Sequence, residues 1–169
     1  MNKTKGDEKI RRTVLGALMC AIVVITTMFL AIPIPNITGA YVNMGDAAVY
    51  VCAFVLGGPL GAVVAAIGSA LADMFLGSFI YAPATFVIKG LMALCAGVLM
   101  SRWPKFKLGA LLVAGLIMPL GYFLYEWALL GSMAAAAAGL LFNLIQYAGG
   151  VTIGIFAISA VGIVGRQKV

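Results

Sequence analysis

Lys89 lies between Phe86-Val-Ile88 and Leu91-Met-Ala93, a basic side chain inside an apolar segment. Three carboxylates have comparable surroundings: Asp46, Asp73 and Glu126. Amides, phenols and hydroxyls accompany these four charges at helical spacing. Tyr81 (or Ala82), Thr85 and Lys89 share one face, and Tyr122, Tyr125 and Glu126 another. Asn143, Gln146 and Tyr147 recur at i, i+3, i+4, with Gly150 one turn further on, and Asn36, Tyr41 and Asn43 precede Asp46. Such groups donate and accept hydrogen bonds and offer aromatic walls, so their chemistry is recognition of a small polar molecule. The means for covalent work are missing. The chain has no His, which removes His-dependent triads, His metal ligands and haem ligation by His. It has no G-x-x-x-x-G-K-[ST] loop for ATP and no close acidic pair for metal-assisted phosphoryl transfer. Cys20, Cys52 and Cys95 lie in apolar runs without CxxC spacing and read as small packing residues. No cofactor is expected.

The elements that must carry these groups follow from the composition. Hydrophobic residues make up 64% of the chain and charged residues 9%, with a mean hydropathy of +1.14. A soluble domain is about half apolar and a quarter charged, so this chain has no soluble surface to build. Continuous apolar stretches of roughly 20 residues span a hydrocarbon core of about 30 Å as helices. The runs do not alternate with period two, which disfavours a barrel. The fold class expected is an all-α integral membrane protein, a compact bundle of six transmembrane helices. The spans fall at 13–32, 46–56, 60–76, 83–100, 108–130 and 140–164. Pro33, Pro35 and Asn36 end the first; Gly57, Gly58 and Pro59 turn the chain after a short, tilted or partly interfacial second; and Pro83 suits the first turn of the fourth. The alanine run 134–138 reads as a loop or helix entry. Residues 1–27 have the charged-then-apolar order of a signal peptide, but the apolar run is too long and no clean cleavage site follows, so they read as a retained first helix.

Ten of the eleven Lys and Arg residues fall outside these spans, in three groups: Lys3, Lys5, Lys9, Arg11 and Arg12; Arg102, Lys105 and Lys107; Arg166 and Lys168. The loops after spans one, three and five have none. An even number of spans with both termini cytoplasmic satisfies the positive-inside rule throughout. The net charge of +6 is therefore topogenic, with some attraction to anionic lipid, and does not indicate nucleic acid. Residues 1–12 and 166–169 become basic cytoplasmic tails around a membrane domain at 13–165.

With that orientation, a rise of about 1.5 Å per residue puts Lys89 about 9–10 Å below the outer end of its helix, and Asp73 and Glu126 about 6 Å. Asp46 lies near the outer start of its own. The inner half is almost wholly apolar. Charges at mid-membrane cost roughly 2.5–3.5 kcal/mol each on insertion scales, so they turn to a cavity or a partner. An outward-opening pocket is the reading for Tyr41, Asn43, Tyr81, Thr85, Lys89, Tyr122, Glu126, Asn143, Gln146 and Tyr147. Simpler readings stand beside it. Asp46 reads first as a cap at a helix N-terminus. Tyr81 and Trp127 serve equally as interfacial anchors, and Lys89 either pairs with Asp73 or meets a ligand. Small residues allow close helix approach, from Gly61 to Ala72 in the third span and at Ala17 and Ala21 in the first, where they serve either the bundle or another protein.

Ala17-x-x-x-Ala21, together with Tyr41-Val-Asn-Met-Gly-Asp46, Gly57-Gly-Pro-Leu-Gly-Ala62, Ser69-Ala-Leu-Ala-Asp73 and Tyr81-Ala-Pro-Ala-Thr-Phe-Val-Ile-Lys-Gly90, resembles the substrate-binding S component of energy-coupling factor (ECF) transporters. The likeness is to the branch associated with vitamin B6 or the hydroxymethylpyrimidine precursor of thiamine, strongest over 41–97 and weak in spans five and six. It implies a high-affinity subunit, not an enzyme, in the cytoplasmic membrane of a prokaryote. Its partners would be a transmembrane T component, docked at Ala17 and Ala21, and two cytoplasmic ATPases that drive uptake by toppling the loaded subunit. Binding in the family uses the first loop and the outer parts of spans four to six. Thiamine itself is disfavoured by the missing His and aromatic-acid pattern; pyridoxine suits tyrosine stacking with Glu126, Asn143, Gln146 and Lys89. The alternative is a self-sufficient channel or facilitator, which the apolar inner half opposes. An intramembrane enzyme ranks last.

Overall fold

The segment Gly45–Leu56 is apolar on every side except at Asp46, and a helix hydrophobic all round is stable only when enclosed. In the computed structural model, which describes residues 5–29, 31–34 and 41–166, it forms a helix buried at the centre of a bundle. The elements run α1 (Lys5–Phe29), β1 (Ile32–Pro33), β2 (Tyr41–Val42), α2 (Gly45–Leu56), α3 (Gly58–Phe75), α4 (Ala82–Arg102), α5 (Lys107–Gly115), α6 (Ile117–Leu130) and α7 (Met133–Arg166). Of the features named above, Lys3, Pro35, Asn36 and Lys168 lie outside the described residues. Among the described residues, five stretches are long and apolar enough to cross a membrane: α1, α3, α4, α5 with α6, and α7. At 12 residues, or about 18 Å, α2 is too short to do so alone. It packs against α1, α3, α4 and α7 and leaves the lipid-facing surface to them.

Small residues set the spacing. A Cβ on Gly97 would come within 2.5 Å of Gly58 Cα, so α3 and α4 cross with their backbones touching. Gly61 lies likewise against Ala53 of α2, and Gly68 against Val23 of α1. In lipid such close approach, rather than hydrophobic burial, supplies much of the attraction between helices. Gly57, with φ of +82°, permits the abrupt α2–α3 turn, and Gly131 at +64° ends α6 in the left-handed conformation.

Four features depart from the sequence expectations. The fifth span is two helices, broken at Leu116, because Pro119 has no N–H to donate one turn back. The hydroxyls of Tyr50 and Tyr147 reach the carbonyls of Leu111 and Leu112 in the last turns of α5, at 3.3 and 3.0 Å. Of the two readings of the alanine run 134–138, helix entry holds and loop does not: alanine is the strongest helix former, and α7 begins at Met133, ahead of the expected 140, and continues for 34 residues, about 50 Å. At the other end of the chain, α1 starts at Lys5, so residues 5–12 extend the first helix. An antiparallel pair, Ile32 opposite Val42 and Pro33 opposite Tyr41, lies at the end of the bundle away from the Arg102–Lys107 connection and gathers the polar groups beneath it.

Candidate binding site

The start of α2 turns its first polar side chain inward. Asp46 is 1% exposed and stands in the first turn of α2, where an acid complements the helix dipole, but the N-cap position is Met44 and no side chain makes a capping hydrogen bond. Asp46 forms a salt bridge with Lys89 of α4, itself buried. The second Asp46 oxygen accepts from Gln146 Nε2 at 2.9 Å. Gln146 in turn accepts from the Asn43 backbone N–H at 2.7 Å, and Asn43 Oδ1 takes the Gly45 N–H at 2.8 Å. This chain of bonds joins the β2–α2 connection to α4 and α7. Lys89 is thereby paired with Asp46 and not with Asp73, which corrects that expectation. The room for it comes from Gly150, where a Cβ would stand 2.7 Å from that of Asp46.

Asp73, on α3, accepts instead from the hydroxyl of Tyr41. Burial, and then the neighbouring Asp73 charge, push the Tyr41 phenol well above its ordinary pKa, so it remains a donor. Across the site, Tyr81 donates to Glu126 Oε1 at 3.5 Å, and Thr85 and Tyr122 share a hydrogen bond of 2.7 Å. The Tyr81 ring lies 6.4 Å from Tyr122 and meets Tyr125 edge-on at 5.6 Å, while Lys89 Nζ stands 5.6 Å over the Tyr122 ring. Tyr125 is spent on the Ile80 carbonyl.

These side chains surround one cavity under the β1–β2 pair, with an open volume of about 20 Å³, room for a water molecule or so. Nine expected residues line it: Tyr41, Asn43, Tyr81, Thr85, Lys89, Tyr122, Glu126, Asn143 and Gln146. Tyr147 does not. It points down the bundle into the slot left by Gly115 and holds the Leu112 carbonyl. Thr27, Ile34, Gly45, Ser69 and Asp73 complete the wall. Asp73 was visible in the sequence as a membrane charge, and Ser69, one turn before it, shares its face; the other three carried no signal of their own.

Three buried atoms of this wall have no hydrogen-bond partner among the described residues: Ser69 Oγ, Asp73 Oδ2 and Glu126 Oε2. Buried polar groups are rarely left so, because each forgoes its hydration without compensation. Two carboxylate oxygens and a hydroxyl on one small cavity are what a ligand bearing N–H or O–H groups would satisfy. Below them Tyr50, Met92, Leu111, Met118 and Ile158 are fully buried and fill the bundle with apolar volume. On the outer surface of α1, Ala17 and Ala21 are both exposed, among the exposed apolar side chains of Leu18, Ile22 and Ile25.

The family model for ECF-type riboflavin transporter S components matches residues 7–162. The chain belongs to that family. S components are multi-pass membrane subunits that bind the substrate of a transporter, not enzymes, and membership implies a T component and ATPases as partners. A Pyrococcus woesei protein described as "uncharacterized protein in gap 3′ region" is 34% identical over 135 residues, 78% of this chain and 88% of its own length. Two solved structures of S components share the fold. One, from a study of the structure and mechanism of the S component of a bacterial ECF transporter, superposes with a TM-score of 0.72 at 19% identity, over 94% of this chain and 98% of that one. The other, the S component for biotin of an ECF-type ABC transporter, gives 0.70 at 16% identity, over 98% and 96%. At such identities the likeness is one of fold.

Proposed function

We propose that this S component captures a small heteroaromatic vitamin or precursor, pyridoxine first and hydroxymethylpyrimidine next, in the cavity under the β1–β2 pair. The observation that carries the reading is the set of unpartnered acceptors, Asp73 Oδ2 and Glu126 Oε2, set among Tyr41, Tyr81 and Tyr122. A single ring edged with hydroxyl or amino groups supplies the missing donors, and the phenol rings supply its walls. The tight cavity favours one ring over a fused system. Riboflavin is the second reading, favoured by the family match over residues 7–162; its three rings and polyol chain require the walls to part much further.

In this reading the protein lies in the cytoplasmic membrane of a prokaryote with both termini cytoplasmic and the cavity opening outward. Residues 1–12 and 166–169 form basic tails around the membrane domain at 13–165. Two cytoplasmic ATPases act through a T component docked on α1 at Ala17 and Ala21. Exposure of both alanines on α1 supports that docking face. The plug of Tyr50, Met92, Leu111 and Met118 below the cavity counts against a self-sufficient channel or facilitator. Calorimetry of the purified chain in detergent tests the assignment. Pyridoxine or hydroxymethylpyrimidine should bind at submicromolar concentration and more tightly than riboflavin or biotin. Riboflavin binding alone would transfer the site to the second reading, and flux of any of these through liposomes holding only this chain would favour the facilitator.

A further inference from the structure

The cation and several donors of the cavity are already committed. Among the described residues Lys89 is the one Lys or Arg on its wall, and its charge is matched by Asp46 at 4% and 1% side-chain exposure. Gln146 spends its amide on Asp46 and its oxygen on Asn43. Tyr41 donates to Asp73, Tyr81 to Glu126, and one of the Thr85 and Tyr122 hydroxyls to the other. The Gly45 N–H at the start of α2, which would otherwise be open to an anion, is taken by Asn43 Oδ1. Among the fully buried atoms of the described residues, two carboxylate oxygens and one hydroxyl remain unpartnered; the side-chain amides of Asn43 and Asn143 are the neutral donors left on the wall. With the Asp46–Lys89 pair neutral, the wall carries the carboxylates of Asp73 and Glu126 without a second cation among the described residues. A phosphate or carboxylate entering here would lose its water and meet two carboxyl groups, with no unpaired cation among the described residues to compensate it.

We infer that the cavity admits only neutral or cationic rings that present N–H or O–H donors, and excludes phosphorylated and other anionic forms of the same molecules. The inference deepens the proposal that this cavity is the vitamin site, by assigning the charge class of what enters. The cell then takes up the free vitamin, and a kinase-type reaction must add any phosphate after uptake. Asp73 and Glu126 set this selection, and Asp46 supports it by holding Lys89 out of anion binding.

The test uses the full chain in detergent and two ligand sets, read by calorimetry and by ligand-induced shift of the melting temperature. The first set pairs pyridoxine with pyridoxine 5′-phosphate, and riboflavin with its 5′-phosphate. The second is single rings of one size: 4-aminopyridine, a cation at neutral pH; 3-hydroxypyridine, neutral; and nicotinate, an anion. Free vitamins should bind at least 100-fold more tightly than their phosphates, and aminopyridine at least tenfold more tightly than nicotinate. Glu126→Gln and Asp73→Asn, near-isosteric changes, should each shrink the cation-over-anion ratio at least tenfold. Equal or tighter binding of phosphates or nicotinate would overturn the inference while leaving the vitamin site in place, as would a ratio unmoved in both variants. Binding of aminopyridine over nicotinate with no vitamin bound would do the reverse. Binding of neither set would overturn both.

Discussion

Replacing Lys89 with methionine removes the cation from the cavity wall at almost constant side-chain volume and leaves the Asp46 carboxylate buried beside one amide donor, Gln146 Nε2 at 2.9 Å. Breaking a buried ion pair by deleting one partner typically costs 3–5 kcal/mol, because the survivor keeps its desolvation penalty and loses its compensation. The low end suits Lys89→Met, since Gln146 still serves one oxygen. Asp46→Asn should cost less, about 2–3 kcal/mol. The released ammonium still has the Tyr122 ring at 5.6 Å and, on α3, the free oxygen of Asp73. The double variant Lys89→Met/Asp46→Asn contains no uncompensated charge and should return to within about 1 kcal/mol of the parent, giving a coupling of at least about 2 kcal/mol. At roughly 2–4 °C per kcal/mol for a chain of this length, the single variants should melt about 5–12 °C below the parent and the double within a few degrees of it. Melting in detergent at one fixed scan rate reads the comparison, because unfolding of such a protein need not be reversible. A double variant as unstable as the two single losses added together would refute the reasoning: Lys89 and Asp46 would then be energetically independent, and their meeting in the bundle incidental.

Two glycines make opposite predictions under the same added methyl group. A Cβ at Gly139 would come within 2.0 Å of Glu126 Oε2, the mobile end of a side chain, so Gly139→Ala should leave the melting temperature within about 2 °C and weaken ligand binding at least tenfold, measured by calorimetry. At Gly97 the obstacle is the Gly58 backbone at 2.5 Å; Gly97→Ala should cost about 1–3 kcal/mol, seen as a lower melting temperature, with ligand affinity unchanged in the surviving folded protein. Replacing the exposed Ala17 and Ala21 with leucine should abolish uptake in cells that hold the full transporter yet spare binding to the purified chain; uptake that persists would move the docking face elsewhere.

The membrane charges were legible in the sequence because the bilayer makes each of them conspicuous. A carboxylate or ammonium in an apolar run must turn to a partner or a cavity, and spacing alone put Thr85 with Lys89 and Asn143 with Gln146. Which partner Lys89 finds was not legible. Asp46 is 43 residues away, and choosing it over Asp73 depends on α2 being enclosed at the centre of the bundle, which spacing along one helix does not specify. The capping reading of Asp46 was incomplete for the same reason: it placed the carboxylate in the first turn of its own helix, where it stands, and missed that its oxygens go to α4 and α7. Tyr147 misled through its stripe. One residue after Gln146 it is turned by about 100°, and the slot it enters exists only because Gly115 has no side chain and α5 stops there.

The broken fifth span shows how the apolar half of the bundle and the polar half depend on each other. Pro119 leaves the Gly115 carbonyl without its i+4 donor, at a depth where loose carbonyls are costly, and one turn earlier the hydroxyls of Tyr50 and Tyr147 brace the carbonyls of Leu111 and Leu112. Tyr50 is thereby fixed on α2, one turn below Asp46, and forms part of the apolar plug. The same short helix therefore positions the ion pair at its start and closes the bundle beneath it. A bundle sealed at that level suits a subunit that must hold its ligand until partners move it, since a continuous polar path would let the ligand leak through unaided. Widening the plug without touching the cavity separates these roles: Tyr50→Phe keeps the volume and should leave transport dependent on the partners. Leakage of bound vitamin through liposomes holding Tyr50→Ala alone would place the seal at this side chain, and a tight variant would place it deeper, at Met92 and Met118.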